Sequence, residues 1–121
     1  MFLNLSNHPS STWSGKQRAA AEVLAGDVVD QLFPEVPPEA TTEEVAEMAA
    51  AIARRITQHA PAAAMVQGEF TLAFSLVREL ESRGIPCYAA TTRRMTQSVR
   101  TDDGPVQRIS TFEFVQFRRY R

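Results

Sequence analysis

The chain has a single cysteine, Cys87, among its 121 residues. That excludes an intramolecular disulfide framework and any zinc site built from several cysteines. Its two histidines, His8 and His59, lie far from each other and from Cys87, so the sequence offers no metal-ligand spacing. No metal and no cofactor are expected. Long apolar runs are missing too, and nothing approaches the roughly 20 residues that cross a bilayer. The short apolar run at residues 1–5 breaks at Ser6, Asn7, His8 and Pro9, unlike a secretory signal. The expectation is a cytoplasmic protein with no membrane contact. Lysine is nearly absent: Lys16 stands against twelve arginines, which stay charged and fork onto carboxylates or phosphates.

Excess charge of either sign is also lacking. Thirteen basic and 14 acidic residues give a net of −1, which excludes a broadly polycationic nucleic-acid coat protein and an acidic disordered tail. The balance is a cancellation. Residues 1–77 carry four basic and nine acidic groups, a net of −5, whereas residues 78–121 carry nine basic and five acidic, a net of +4. A basic site in the second half is therefore compatible with the total. With 44% apolar residues and no internal repeat or linker, residues 1–121 read as one soluble domain.

The local signals alternate. Residues 1–5 read as a strand and 6–13 as a polar loop. Ser14 and Gln17, in the capping-box arrangement, open a helix that Gly26 stops. Residues 27–32 form a second strand candidate, and Pro34, Pro37 and Pro38 keep 33–40 irregular. Thr41 and Glu44 form another capping box, and Val45, Met48, Ala49, Ile52 and Ile56 lie on one helical face. Residues 62–67 suit a buried strand. Phe70, Phe74, Val77 and Leu80 then suggest a third helical stripe, with Phe70 in the core. Residues 86–90 form a fourth strand, ending in a polar loop at 91–94. Two further strands, 95–100 and 106–117, flank Asp102-Asp103-Gly104, a hairpin signal. The order predicts an α/β fold: a Rossmann-like three-layer sandwich with a mainly parallel sheet and a C-terminal β-hairpin.

In such sheets ligands bind beyond the carboxyl ends of strands where the strand order reverses. The segments expected there are 6–13, 67–70 and 91–94. The first holds Ser6, Asn7, His8, Ser10, Ser11, Thr12 and Trp13. Its hydroxyls and backbone N–H groups suit a phosphate, Trp13 suits a base, and His8 can act as acid or base near neutral pH. The competing reading makes it a simple turn, with Trp13 packed against the sheet edge. Gly68 offers close backbone approach to a ligand, and Glu69 is either a general base, a ribose-hydroxyl acceptor or a helix-dipole acid. Thr91, Thr92, Arg93 and Arg94 supply two hydroxyls and two guanidiniums. Alternation on an extended chain lets only one of the two arginines face a site. Their other use is as a solvated charge pair that blocks edge aggregation. Cys87 reads as a buried strand residue and His59 as a helix C-terminus. The apolar residues Phe112, Phe114, Val115, Phe117 and Tyr120 fit either a strand covered on both faces or a dimer interface.

Three stretches, MFLNLSNHPSSTW, MVQGEFTLAFSLVRELESRGIPCYAATTRR and, after a DG turn, FEFVQFRRYR, resemble small stand-alone CRISPR-associated proteins. These are related to the CARF (CRISPR-associated Rossmann-fold) sensors and include ring nucleases. The resemblance implies a homodimer that binds a cyclic oligoadenylate second messenger across its twofold axis, cyclic tetra-adenylate being the ring to try first. It further implies metal-independent cleavage, a ribose 2′-hydroxyl attacking the adjacent phosphate. Carried onto this sequence, it puts His8, Ser10, Ser11 and Arg93 near the scissile phosphate. Ser6, Asn7, Trp13, Gly68, Glu69, Thr91 and Thr92 then line the ligand. CARF sites often carry Lys where this chain has Arg93, and Arg is a poor general acid. Three other readings stay open: a sensor that binds without cutting, a Rossmann-like enzyme acting on a small phosphate ester, and a protein or RNA interaction module built on the hairpin. No long nucleic acid is expected on the leading reading.

Overall fold

In the computed structural model, which describes residues 1–100, 102 and 104–121, the apolar opening of the chain becomes β1 (Phe2–Ser6), buried along its whole length. A single 3-10 turn (Ser10–Thr12) leads to α1 (Gly15–Ala25), then β2 (Val28–Leu32) and α2 (Thr42–Gln58). The chain continues through β3 (Ala63–Val66), α3 (Phe70–Ser82), β4 (Cys87–Val99) and β5 (Gln107–Arg119). The sheet order is β2-β1-β3-β4-β5. Its first four strands are parallel and β5 runs antiparallel to β4. The fold is α/β, with a mixed, mostly parallel sheet and three helices.

Local chemistry accounts for the helix ends. The Ser14 hydroxyl accepts from the Gln17 N–H and caps α1, but the Gln17 amide turns away to Met65 Sδ, so the box is half made. Gly26 ends α1 at φ 78°, a conformation glycine adopts without a Cβ penalty. Thr41 and Glu44 make both halves of their box at the start of α2.

Alternation along the central strands feeds two cores. Leu3, Leu5, Ala64 and Val66 pack with Val45, Ile52 and Ile56 of α2 and Leu72, Leu76 and Leu80 of α3. The intervening Phe2, Ala63 and Met65 face the other side, with Ala21 of α1 and Phe117 of β5. α3 carries two apolar stripes, and the one that meets the sheet is Leu72, Ala73, Leu76 and Leu80. Phe70 and Phe74, expected inside, are therefore 88% and 65% exposed.

The largest departure from the sequence reading lies in β4. Residues 91–94 form no loop; they continue one strand to Val99, paired with β5 throughout. Only Cys87 and Tyr88 of that strand pair with β3, so the rest of β4 leaves the parallel sheet as a two-stranded ribbon with β5. Polar residues suit this ribbon because it has no core of its own to fill. Asp102 and Gly104 lie between its strands, and Asp103 of the expected turn lies outside the described residues. The ribbon root is fastened by Tyr120, whose N–H donates to the Cys87 carbonyl and whose hydroxyl donates to the Val66 carbonyl (2.7 Å). An Arg119–Glu81 ion pair at 2.9 Å ties β5 to α3.

Gly68, between β3 and α3, lies flat against the ring of buried Phe33, and a Cβ there would overlap that ring. Close approach is needed here, but by a core side chain. Gly68→Ala is expected to destabilise the protein by about 1–3 kcal/mol through displacement of Phe33. A thermal or urea melt checks this, and an unchanged midpoint contradicts it.

Candidate functional site

The strand order reverses between β1 and β3, the point where an open α/β sheet leaves a crevice at its strand ends. A cleft of about 430 Å³ opens there. Its polar wall comes from His8, Thr12, Ser14, Gln17, Gln67 and Thr92, and its apolar wall from Trp13, Met65, Ala90, Phe112 and Phe114. That volume falls within the range of about 300–1,000 Å³ that holds one small organic ligand.

The loop after β1 is fastened from below. Asn4 is 1% exposed in the middle of an apolar strand, and its amide donates to the His8 carbonyl (2.8 Å) and to Asp30 Oδ1 (3.0 Å). Asp30, the neighbour of Asn4 in the β1–β2 register, also accepts the Ser10 N–H (3.1 Å) and the Ser10 hydroxyl (3.1 Å). Arg18 of α1 donates to the Ser10 carbonyl. Partial burial works to raise the Asp30 pKa. The hydrogen bonds from Asn4 and Ser10, helped by the Arg18 charge, overcome it and hold the carboxyl below its ordinary value.

This network uses up two of the expected ligand groups. Ser10 is committed to Asp30, and the Ser6 hydroxyl donates to Asn4 Oδ1 (2.6 Å) while accepting the His8 N–H (3.1 Å). The exposed Asn7, His8, Ser11 and Thr12 remain facing outward. The His8 backbone is pinned, with its carbonyl also accepting from the Trp13 indole N–H (3.2 Å), while its imidazole lines the cleft. Trp13 combines the two roles weighed for it. Its ring packs against Phe2 (6.2 Å between centroids) and Phe117 (6.1 Å), yet it still forms part of the cleft wall.

Glu69 caps α3. Its carboxylate accepts from the Leu72 N–H (2.8 Å), the Thr71 N–H (3.0 Å) and the Thr71 hydroxyl. The Leu72 and Thr71 hydrogen bonds hold its pKa below the ordinary glutamate value, which suits a cap and not a base near neutral pH. Cys87 is buried, and desolvation together with the Glu81 charge pushes its thiol up to about 12. It is no nucleophile at neutral pH.

The ribbon wall depends on one irregularity. Thr91 pairs with Gln116 but Thr92 pairs with Phe114, so Val115 is an extra residue that shifts the parity of β5. In consequence Phe117, Phe114 and Phe112 share a face with Ala90, Thr92 and Arg94. Further out, that face carries Thr96, Ser98, Arg108 and Ser110. Arg93 lies on the opposite face, with Glu113 as its cross-strand neighbour. Thr91 also points away from the cleft, its hydroxyl donating to the Gln116 carbonyl (2.9 Å). The structure thus gathers His8, Trp13 and Thr92 in the cleft and leaves Ser11, Arg93, Thr91 and Glu69 outside its lining. Asn7 and Gly68 line a neighbouring cleft with Gln67, His8 and Tyr120.

Sequence reasoning missed Asn4 and Asp30, placed Gln67 in an expected segment without a role, and read Phe112 and Phe114 as a covered strand or a dimer interface and not as a cleft wall. One signal was present: an asparagine inside MFLNL is a buried polar group that must find partners. Gln67 lay in the expected segment 67–70, and its side-chain oxygen accepts the Ala90 N–H (2.7 Å) where the β3–β4 ladder ends.

Fold and cleft together define an α/β protein with a ligand-sized crevice at the strand-order reversal. The chain belongs to the family described as Uncharacterized protein MJ1673 family, whose model matches residues 1–118, including both site loops and nearly all of the ribbon. No curated protein and no solved structure matches the chain. Among the described residues, no helix is long and apolar enough to cross a membrane.

Because the folded Asp30 carboxyl is held below its ordinary value of 3.8, its contribution is present above that pH and is lost as pH falls through the folded value. Asp30→Asn is expected to lower Tm at pH 7 by roughly 3–6 °C. The gap between wild type and variant should narrow as pH falls below 3.8 and through the lowered folded value. A gap that is constant with pH contradicts the role given to the charge.

Proposed function

We propose that the protein binds a cyclic oligoadenylate in the cleft at the strand-order reversal, as a Rossmann-like cytoplasmic homodimer in which each copy holds part of the ring. The observation that carries this reading is the pairing of an exposed imidazole and hydroxyls with an aromatic wall in one ligand-sized crevice. Trp13 and the phenylalanines suit adenine faces, Thr92 suits ribose and phosphate oxygens, and Thr12, whose hydroxyl donates to the Pro9 carbonyl, can accept from a ribose hydroxyl. A twofold ligand matches an isologous dimer, since each copy donates the same contacts.

Cleavage follows from positioning. The ribose 2′-oxygen attacks the adjacent phosphorus, the bond from phosphorus to the 5′-oxygen breaks, and the 2′-proton ends on that 5′-oxygen. The products are a 2′,3′-cyclic phosphate and a 5′-hydroxyl. His8 is the side chain of the cleft lining able to move that proton. The alternative is a sensor that binds without cutting. It is favoured by the commitment of Ser10 and Glu69 to internal hydrogen bonds, which leaves His8 without a second acid or base from that expected set.

Incubation with cyclic tetra-adenylate in EDTA is expected to yield linear product ending in the cyclic phosphate. His8→Ala should cut the rate by about 10²–10⁴-fold while retaining binding. Binding without product selects the sensor. Neither binding nor product across several ring sizes overturns both readings.

A further inference from the structure

Alternation along β4 from Ala90 through Thr92 puts Arg94, and not its neighbour Arg93, on the ribbon face that continues the cleft, and the Val115 bulge in β5 sets Phe112 opposite it in place of Glu113. Phe112, the direct cross-strand partner of Arg94, lines the cleft and is 70% exposed. An aromatic ring left that open in a two-stranded ribbon contributes little to folding, yet it faces a crevice with Trp13 in another part of its wall. Arg94 directs its Nε and one terminal nitrogen at the Ser110 hydroxyl (3.3 and 3.1 Å). Those contacts hold the guanidinium along the ribbon and leave its other edge with N–H groups to donate. Among the described residues it forms no ion pair, and the carboxylate of the ordered strands, Glu113, has been rotated to the opposite face beside Arg93. A buttressed guanidinium without an acid, next to an open aromatic ring at the mouth of a cleft, is the donor set that recognises a phosphodiester and the base attached to it.

We propose that Arg94 and Phe112 form the outer wall of the binding site, Arg94 holding a phosphate oxyanion of the ligand and Phe112 stacking on the adjacent base. This rests on the nucleotide-binding reading of the cleft and adds to it a pair of residues that the loops alone do not supply. The ribbon is then a binding arm in which one extra residue in β5 decides whether Arg94 has an aromatic ring or the Glu113 carboxylate beside it.

The adjacent arginine provides the internal comparison. Wild type, Arg94→Gln, Phe112→Ala and Arg93→Gln are titrated with cyclic tetra-adenylate by calorimetry at several salt concentrations. Circular dichroism melts verify that each exposed substitution leaves the fold intact. Arg94→Gln is expected to weaken binding about tenfold or more and to reduce the salt slope by about one. Phe112→Ala should cost at least about fivefold without changing that slope, and Arg93→Gln should stay within about twofold. Equal losses for Arg93→Gln and Arg94→Gln overturn the assignment, since they would report only net charge. Wild-type affinity in both Arg94→Gln and Phe112→Ala overturns it while leaving the cleft reading intact. Absence of wild-type binding to rings of any size overturns both together.

Discussion

Between the Thr91–Gln116 and Thr92–Phe114 pairs, β5 contains one residue more than β4, and the side chains beyond Val115 change faces there. Without that residue, strict alternation from Phe117 would place Val115 and Glu113 against the cleft. With it, Phe114 and Phe112 take those places, and a carboxylate is moved off the wall. The bulge also lets Phe114 meet Phe117 at 5.0 Å, which in turn meets Phe2 at 5.0 Å and Trp13 at 6.1 Å. The ribbon is thereby joined to the centre of the sheet through one aromatic cluster, and the cleft gains a wall continuous with the core.

The opposite wall has a separate support. Asn4 and Asp30, side by side on neighbouring strands, take up the polar groups of the loop after β1 and fix its path. A buried polar group such as Asn4 is costly unless paired, and here its pairing with the exposed Asp30 converts the cost into a defined loop shape. The result is a division of labour along eight residues. Ser6 and Ser10 face inward and build the loop, Thr12 spends its hydroxyl proton on the Pro9 carbonyl, and the His8 and Ser11 side chains face outward. Polar density in a loop therefore does not count ligand groups, because part of it is structural.

Much of the fold was legible in the sequence because its signals are local. Ser14, Thr41 and Gly26 mark helix ends through bonds made within four residues, and the stripe from Val45 to Ile56 states which face of α2 is buried. The three prolines at 34, 37 and 38 kept their segment irregular. What failed depended on distant partners. Residues 91–94 read as a loop because a ribbon standing outside the sheet has no buried face to impose alternation. Ser10 read as a ligand group because its partner, Asp30, lies twenty residues away. The two apolar stripes of α3 were both compatible with burial, and only the position of the sheet chose between them. A bulge leaves no mark in composition at all, so the β5 side chains that flank Arg94 were not legible.

Trp13 is the single tryptophan of the chain and forms part of the cleft wall, so its emission reports on that site alone. A fluorescence titration with cyclic tetra-adenylate addresses the account most directly. Stacking of an adenine within the cleft predicts saturable quenching that reaches its plateau at one ring for every two chains. Emission that stays unchanged up to ligand concentrations far above those of the protein contradicts a ligand site in this cleft, and a plateau at one ring per chain contradicts a ring shared across a twofold axis.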